Sequence, residues 1–172
     1  SDATQVGGNI TFTAAATETT TSANTSTNTA AITINADVTA GEDVSMNSSV
    51  TYTGTSISLV GFLADFDQTA SATIVVDGDY TITGDNVSLT ATTDIDITVD
   101  VTAIAVVSIA LVDVETDTSV SLLNGADIAA DTGDATDGAI TVSATSNVDI
   151  DVDLGLLDSS FFGGTLTSFD IV

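Results

Sequence analysis

The amino-acid sequence predicts an all-β protein, for which a β-solenoid (parallel β-helix) is favoured and a β-sandwich or jelly-roll with strand exchange is the close alternative. Apolar residues alternate with Thr, Ser or Asn along most of the 172 residues, as in strands that bury one face. Val, Ile and Thr dominate these runs, and their branched side chains suit a pleated surface. The chain contains no proline, so no strand loses a backbone hydrogen-bond donor to it.

Short alternating runs follow one another along the chain, and turn-forming clusters separate them. The runs lie at residues 10–13, 32–35, 50–53, 57–59, 80–83, 87–90, 120–122 and 140–143. The clusters combine Gly with Asp, Asn or Glu, which favour turns, at residues 41–43, 77–79, 84–86, 124–125, 133–134 and 137–138. We therefore expect one all-β domain over residues 1–172.

Two segments depart from this alternation. Residues 13–30 are rich in Thr, Ala, Ser and Asn without a clear apolar period. They indicate a long loop, a weakly specified strand or, within residues 1–30, a flexible or donated N-terminal arm. Residues 101–114 are apolar on both faces, which predicts a strand, or two, at the centre of a sandwich or solenoid, or one buried against another subunit. In the strand-exchange alternative, residues 1–30 or 165–172 are the donated segment.

Two acidic strands are predicted, each with three aspartates on one face. The aspartates are Asp94, Asp96 and Asp100 in the first strand, and Asp149, Asp151 and Asp153 in the second. Carboxylates two residues apart on a strand lie roughly 7 Å from each other and repel, and a neighbouring acidic strand would add to this repulsion. The two faces are either fully solvated or screened and bridged by divalent cations.

A short phrase recurs along the chain with uneven spacing. Its aligned apolar positions are residues 10, 44, 87, 120 and 148, and a second phrase recurs at residues 31–36 and 139–144. Repeats of this length are typical of solenoids, although alternating strands also match one another by chance.

Two of the phrases support a resemblance to a known family. Gly84-Asp85-Asn86-Val87-Ser88-Leu89-Thr90-Ala91 and Asp137-Gly138-Ala139-Ile140-Thr141-Val142-Ser143-Ala144 resemble the repeats of bacterial filamentous-haemagglutinin-type adhesins. The resemblance extends loosely over residues 72–153. It implies a right-handed parallel β-helix and a role in adhesion or in surface fibres. The irregular spacing and the lack of basic residues depart from the family's pattern.

The charge of the chain excludes several classes of function. The 25 acidic residues, with no Lys, Arg or His, give a net charge of −25. Binding phosphate takes Lys or Arg, so neither nucleic acid nor an anionic lipid surface is an expected partner. Without Cys, His or Lys the chain has no thiol nucleophile, no His-based triad and no Schiff base. Carboxylate pairs remain, but no Trp offers a sugar platform, and we predict that the protein is not an enzyme.

Calcium is the cofactor that the remaining chemistry suits, because Ca²⁺ is bound by carboxylate, carbonyl and water oxygens. The candidate site is a glycine-containing loop with Asp127, Asp131, Asp134 and Asp137, whose spacing differs from that of an EF-hand. Asp77, Asp79 and Asp85 form a second candidate cluster. A plain polar loop and ordinary turns are the alternative interpretations.

These observations predict an extracellular, secreted structural protein, either a filament subunit or an adhesin segment at the cell surface. Neither Lys nor Pro guards the strand edges, which favours assembly of identical copies edge to edge. No membrane span is expected, since the longest apolar stretch, residues 101–112, is too short to cross a bilayer. The alternative is a monomeric β module that binds surface glycans or ice, because Thr-x-Thr pairs such as Thr51 and Thr53 resemble the arrays of ice-binding solenoids.

Overall fold

The computed structural model describes residues 4–22, 24–58, 63–101, 107–130, 138–153 and 164–171. Within them the chain forms twelve strands and no helix, which confirms the all-β prediction. The strands are β1 (Thr4–Val6), β2 (Ile10–Thr20), β3 (Thr25–Ile34), β4 (Val38–Ala40), β5 (Val44–Ser58), β6 (Leu63–Asp77), β7 (Thr81–Gly84), β8 (Val87–Val101), β9 (Val107–Leu123), β10 (Asp127–Ala130), β11 (Ile140–Asp153) and β12 (Gly164–Ile171).

Three four-stranded sheets take every third strand, and all of their pairs are parallel. Sheet A has the order β1-β4-β7-β10, sheet B β2-β5-β8-β11, and sheet C β3-β6-β9-β12. Each set of three consecutive strands, which we call a coil, therefore adds one strand to every sheet. This order is consistent with a β-solenoid of four coils. A jelly-roll pairs its strands antiparallel, and no pair of the described strands does so.

Alternation along the strands separates an apolar interior from a polar exterior. In β8, Ile95, Ile97 and Val99 are fully buried, whereas Asp94 and Asp96, the residues on either side of Ile95, are exposed. Because parallel partners in register share a face, each interior side chain stacks on the interior side chains of the neighbouring coils. The buried side chains form two clusters, one around Tyr52, Phe66 and Ile95 and the other around Met46, Ile74 and Leu89.

Hydrogen bonds along the corner between sheets A and B hold the coils in register. The Asp43 backbone N–H donates to Asn9 Oδ1 at 3.0 Å, and Asn86 Nδ2 donates to Asp43 Oδ1 at 2.8 Å. The Ala139 backbone N–H donates to Asn86 Oδ1 at 3.0 Å. Each of these three side chains thus binds the next coil, immediately before a strand of sheet B begins.

The stacking confirms part of the repeat alignment and corrects the rest. Ile10, Val44 and Val87 are register partners, but the next partner is Ile140. Val120, which the phrase alignment placed there, lies in sheet C opposite Ile74, and Val148 lies in β11 opposite Ile95. The misalignment arose because any alternating strand reproduces the phrase. The two phrases that carry the family resemblance do stack, with residues 87–91 opposite 140–144.

The uneven steps are absorbed by strand length and by the connections. The starts of the sheet B strands are separated by 34, 43 and 53 residues, from 10 to 44, 87 and 140. The strands lengthen from 11 residues in β2 to 15 in β5 and β8. Since the extra residues extend the far ends, the starting residues stay stacked.

Both segments of ambiguous pattern contribute strands. The described part of residues 1–30 forms β1, β2 and most of β3. In β2 and β3 the outward positions are mostly Thr, whereas the inward positions include Ala, Ser and Asn. Of residues 101–114, the described part ends β8 and begins β9, which lies between β6 and β12 in sheet C.

No helix in the described ranges has the length and hydropathy needed to cross a membrane.

Candidate functional site

A polar network occupies the interior of the first coil. Glu18 projects inward from β2 and accepts hydrogen bonds from Asn24 Nδ2 at Oε1 and from Asn28 Nδ2 at Oε2, each at 2.8 Å. Two side chains of the second coil extend it: Tyr52 Oη donates to Asn24 Oδ1 at 2.7 Å, and Gln68 Nε2 donates to the Asn24 carbonyl at 2.6 Å. With Ser26, which bonds to Gln68, these residues form what we call the first-coil network.

This network stabilises the Glu18 carboxylate on the inward face of β2. The hydrogen bonds, that of Asn28 first, hold the pKa of Glu18 below its usual range, although partial burial acts in the opposite direction. Burial, and then the nearby Glu18 charge, raise the pKa of Tyr52. The phenol therefore stays a neutral donor to Asn24.

Gly54 makes room for the aromatic part of the network. A Cβ at this position would lie 2.8 Å from Tyr52 Cε1 and 2.9 Å from Phe66 Cε1. The Tyr52 ring thus lies over Gly54 on the inward face of β5, and the hydroxyl points toward the first coil. Both rings are almost completely buried, with exposed fractions of 1% and 0%.

The fourth coil ends differently, with apolar side chains in contact with solvent. Among the residues whose side chains the structure describes, four large hydrophobic side chains are exposed: Ile140 and Val142 of β11, and Leu122 and Leu123 at the end of β9, beyond the segment that pairs with β12. Ile140 and Val142 are 52% and 50% exposed, although their partners Val87 and Leu89 one coil below are 1% and 0% exposed. Val148, Ile150 and Val152 farther along β11 are half-buried. We call the inward-facing side chains of β11 the fourth-coil end.

The two acidic strands are neighbours in sheet B. In register, Asp96 lies opposite Asp149 and Asp100 opposite Asp153, and strands pair about 4.8 Å apart. We call these four residues the acidic ladder. Asp94 and Asp151, by contrast, lie opposite Asn147 and Thr98. The predicted repulsion is thus concentrated in two directly stacked pairs, and cation binding there remains a prediction.

The structure describes only part of the predicted calcium sites. Asp127 begins β10 and caps it by accepting from the Ile128 N–H at 2.9 Å, whereas Asp131, Asp134 and Asp137 lie outside the described residues. Asp77 and Asp79 precede β7 and Asp85 follows it, so they flank opposite ends of that strand. Asp77 accepts a hydrogen bond from Asn124 of the next coil. Over the described ranges, no three acidic side chains gather to hold a metal ion.

Two other surfaces bear on ligand binding. A cavity of about 200 Å³ lies at the first coil between Phe12 and the β3–β4 connection, below the usual 300–1,000 Å³ of small-molecule pockets. On the outer face of sheet B, Thr51 stacks on Thr17 and Thr53 on Thr19, so the predicted Thr-x-Thr pairs do form a small array. In the next coil this array ends at Asp94 and Asp96.

The first-coil network was missed by sequence reasoning. Its signal was the position of Glu18, which falls on the same inward face of β2 as Ala14 and Ala16.

Comparison with protein-family models, with curated proteins and with solved structures gave no match.

The network predicts a pH-dependent effect of Glu18→Gln. The variant replaces one acceptor oxygen by an amide that opposes the amide donors of Asn24 or Asn28, so we expect a lower melting temperature at pH 7. The lowered pKa of Glu18 means that its contribution is present above pH 4.5, the ordinary value, and is lost as pH falls below it. The difference in melting temperature between wild type and variant should therefore shrink from pH 6 to pH 3. A difference that is constant with pH would contradict the assignment.

The acidic ladder predicts that removing one stacked charge stabilises the fold at low salt. We expect Asp149→Asn to raise the melting temperature by about 1–3 °C in 10 mM salt, and by less in 0.5 M salt, where the repulsion is screened. Asp151→Asn on the same strand removes the same charge but lies opposite Thr98, and it is the control. Equal shifts for the two variants at low salt would show that only the net charge matters.

Proposed function

We propose that the chain is an extracellular structural module, a filament subunit or adhesin segment, that associates with copies of itself through its strand edges. The observation that carries the proposal is the state of sheet B at its two ends. Within the described chain, β2 and β11 are each paired on one side only, which leaves the other edges of 11 and 14 residues open. Open parallel edges of this length are templates for adding another strand.

The polar exterior fits a structural role better than catalysis. The outward positions of sheets B and C carry Thr, Ser, Asn and Asp at regular strand spacing, and the interior hydrogen bonds of Glu18 serve the packing of the first coil. Every coil is hydrogen-bonded to the next in all three sheets, as in structural repeat proteins.

Divalent cations would stabilise assembly by screening charge. Two copies bring together net charges of −25 each, and the acidic ladder lies at the edge strand β11 and its neighbour β8. Electrostatic repulsion between copies therefore opposes contact at low ionic strength, and calcium relieves it more effectively per ion than sodium does.

A monomeric binding module is the second candidate, and the stacked Thr17, Thr19, Thr51 and Thr53 favour it. In this case the outer face of sheet B would bind ice or surface glycans. Inhibition of ice recrystallisation by the wild type, lost in Thr51→Val, would support this candidate; a monomer without that inhibition would leave only glycans to be tested.

Electron microscopy in 2 mM calcium and after chelation tests the proposed function. We expect assemblies larger than one chain in calcium and fewer or shorter ones after chelation. In the control variant Asp96→Asn/Asp100→Asn/Asp149→Asn/Asp153→Asn, which lacks the acidic ladder, assembly should depend less on calcium. Single particles of 17.2 kDa in every condition, including 0.5 M NaCl, would refute self-association.

A further inference from the structure

From the contrast between its ends, we infer that two copies of this chain associate through their fourth-coil ends, with β11 pairing antiparallel to β11 of the second copy around a two-fold axis at Ser146. This inference rests on the proposed self-association and specifies its surface. The contact is isologous, so the same residues serve both copies.

The fourth-coil end needs an apolar partner. Ile140 and Val142 of β11 are about half exposed, and they are two of the four large exposed hydrophobic side chains that the structure describes. They continue columns whose lower members, Val87 and Leu89, are fully buried. Covering them removes apolar surface from water at the same time as the open β11 edge gains backbone hydrogen bonds.

The first coil of a second copy is a poor partner for the fourth-coil end. Continuing the intrachain register would place Ile10 of a second copy on Ile140, and therefore Glu18 on Val148. The carboxylate of the first-coil network would then be covered by an apolar side chain and lose its contact with water. Burying an ionised group in this way is unfavourable, even when two amides hydrogen-bond to it.

The inward face of β11 is complementary to that of a second β11 that runs antiparallel to it. With Ser146 on the axis, Ile140 lies opposite Val152, Val142 opposite Ile150, and Ala144 opposite Val148. Shifting the register by one pair in either direction places Ser146 opposite Val148 or Ala144. The central register therefore keeps every apolar residue opposite an apolar one, along residues 140–152 of both strands.

The outward face of β11 is also complementary in this register. Antiparallel pairing sets Asp149 opposite Ser143 and Asp151 opposite Thr141, so no aspartate meets another across the interface. The acidic half of each strand lies beside the hydroxyl half of the other, and hydroxyls donate hydrogen bonds to carboxylates. Salt is still needed, because each copy carries a net charge of −25.

A single engineered cysteine tests the two-fold geometry, since the chain contains no cysteine of its own. In 0.5 M NaCl with a mild oxidant, Ser146→Cys should form a covalent dimer as its main product, because only a two-fold axis brings position 146 next to itself. Head-to-tail stacking instead brings Ser146 next to Ala16 of the next copy. Under that geometry Ser146→Cys stays monomeric on a denaturing gel, and Ala16→Cys/Ser146→Cys forms a ladder of oligomers.

Sedimentation of the cysteine-free chain gives a second measurement. We expect a mass of about twice 17.2 kDa in 0.5 M NaCl, and Val142→Asp should raise the dimer dissociation constant at least about tenfold by placing a charge opposite Ile150. Val142 is 50% exposed in the single chain, so the variant should still fold. The control Thr145→Asp adds the same charge to the outward face of the same strand, opposite Asn147, and should dimerise normally.

The outcomes separate this inference from the proposed function. A ladder from the double-cysteine variant, or equal effects of Val142→Asp and Thr145→Asp, would overturn the two-fold pair but keep self-association. A monomer at all concentrations and salts would overturn both. A Ser146→Cys dimer together with the selective effect of Val142→Asp supports the pair.

Discussion

In-register stacking of parallel strands is the constraint on which the rest of this molecule depends. Each residue lies about 4.8 Å from its counterpart in the next coil, so a column tolerates only side chains that can be neighbours. Inward columns such as Val44, Val87 and Ile140 are apolar, and outward columns are dominated by hydroxyl and amide side chains. The corner residues Asn9, Asp43 and Asn86 enforce this register, since each binds the backbone or side chain of the next coil.

The same constraint also brings like charges together. In the acidic ladder, stacking brings Asp96 to Asp149 and Asp100 to Asp153, and the chain has no basic side chain to place between them. Within the described chain, stacking also leaves the inward faces of the first and fourth coils uncovered on one side. The first coil fills this interior with hydrogen-bonded polar groups around Glu18, whereas the fourth coil leaves Ile140 and Val142 exposed. This asymmetry is the physical basis for assigning association to one end.

The sequence was sufficient for the class of fold but not for the neighbours within it. Alternation revealed that Asp96 and Asp149 point outward, because parity along a strand is a local property. That the two are adjacent depends on register over 53 residues, and the uneven lengths of the coils hid it. In the first-coil network, Glu18 accepts hydrogen bonds from Asn24 and Asn28, which lie 6 and 10 positions farther along the chain. These contacts form only once the chain has folded. The loop that begins at Asp127 lies only in part within the described residues, so calcium binding by it stays a prediction.

The most direct test of the central claim is the set of backbone proton contacts between β8 and β11, measured by NMR on isotope-labelled protein. We expect the contact pattern of parallel strands, with Val87 beside Ile140 and Ile95 beside Val148. Close contacts between α-protons, which are typical of antiparallel pairs, would contradict it. So would the placement of Val87 beside Val120, because the columns that define the core, the acidic ladder and the fourth-coil end would then all be different.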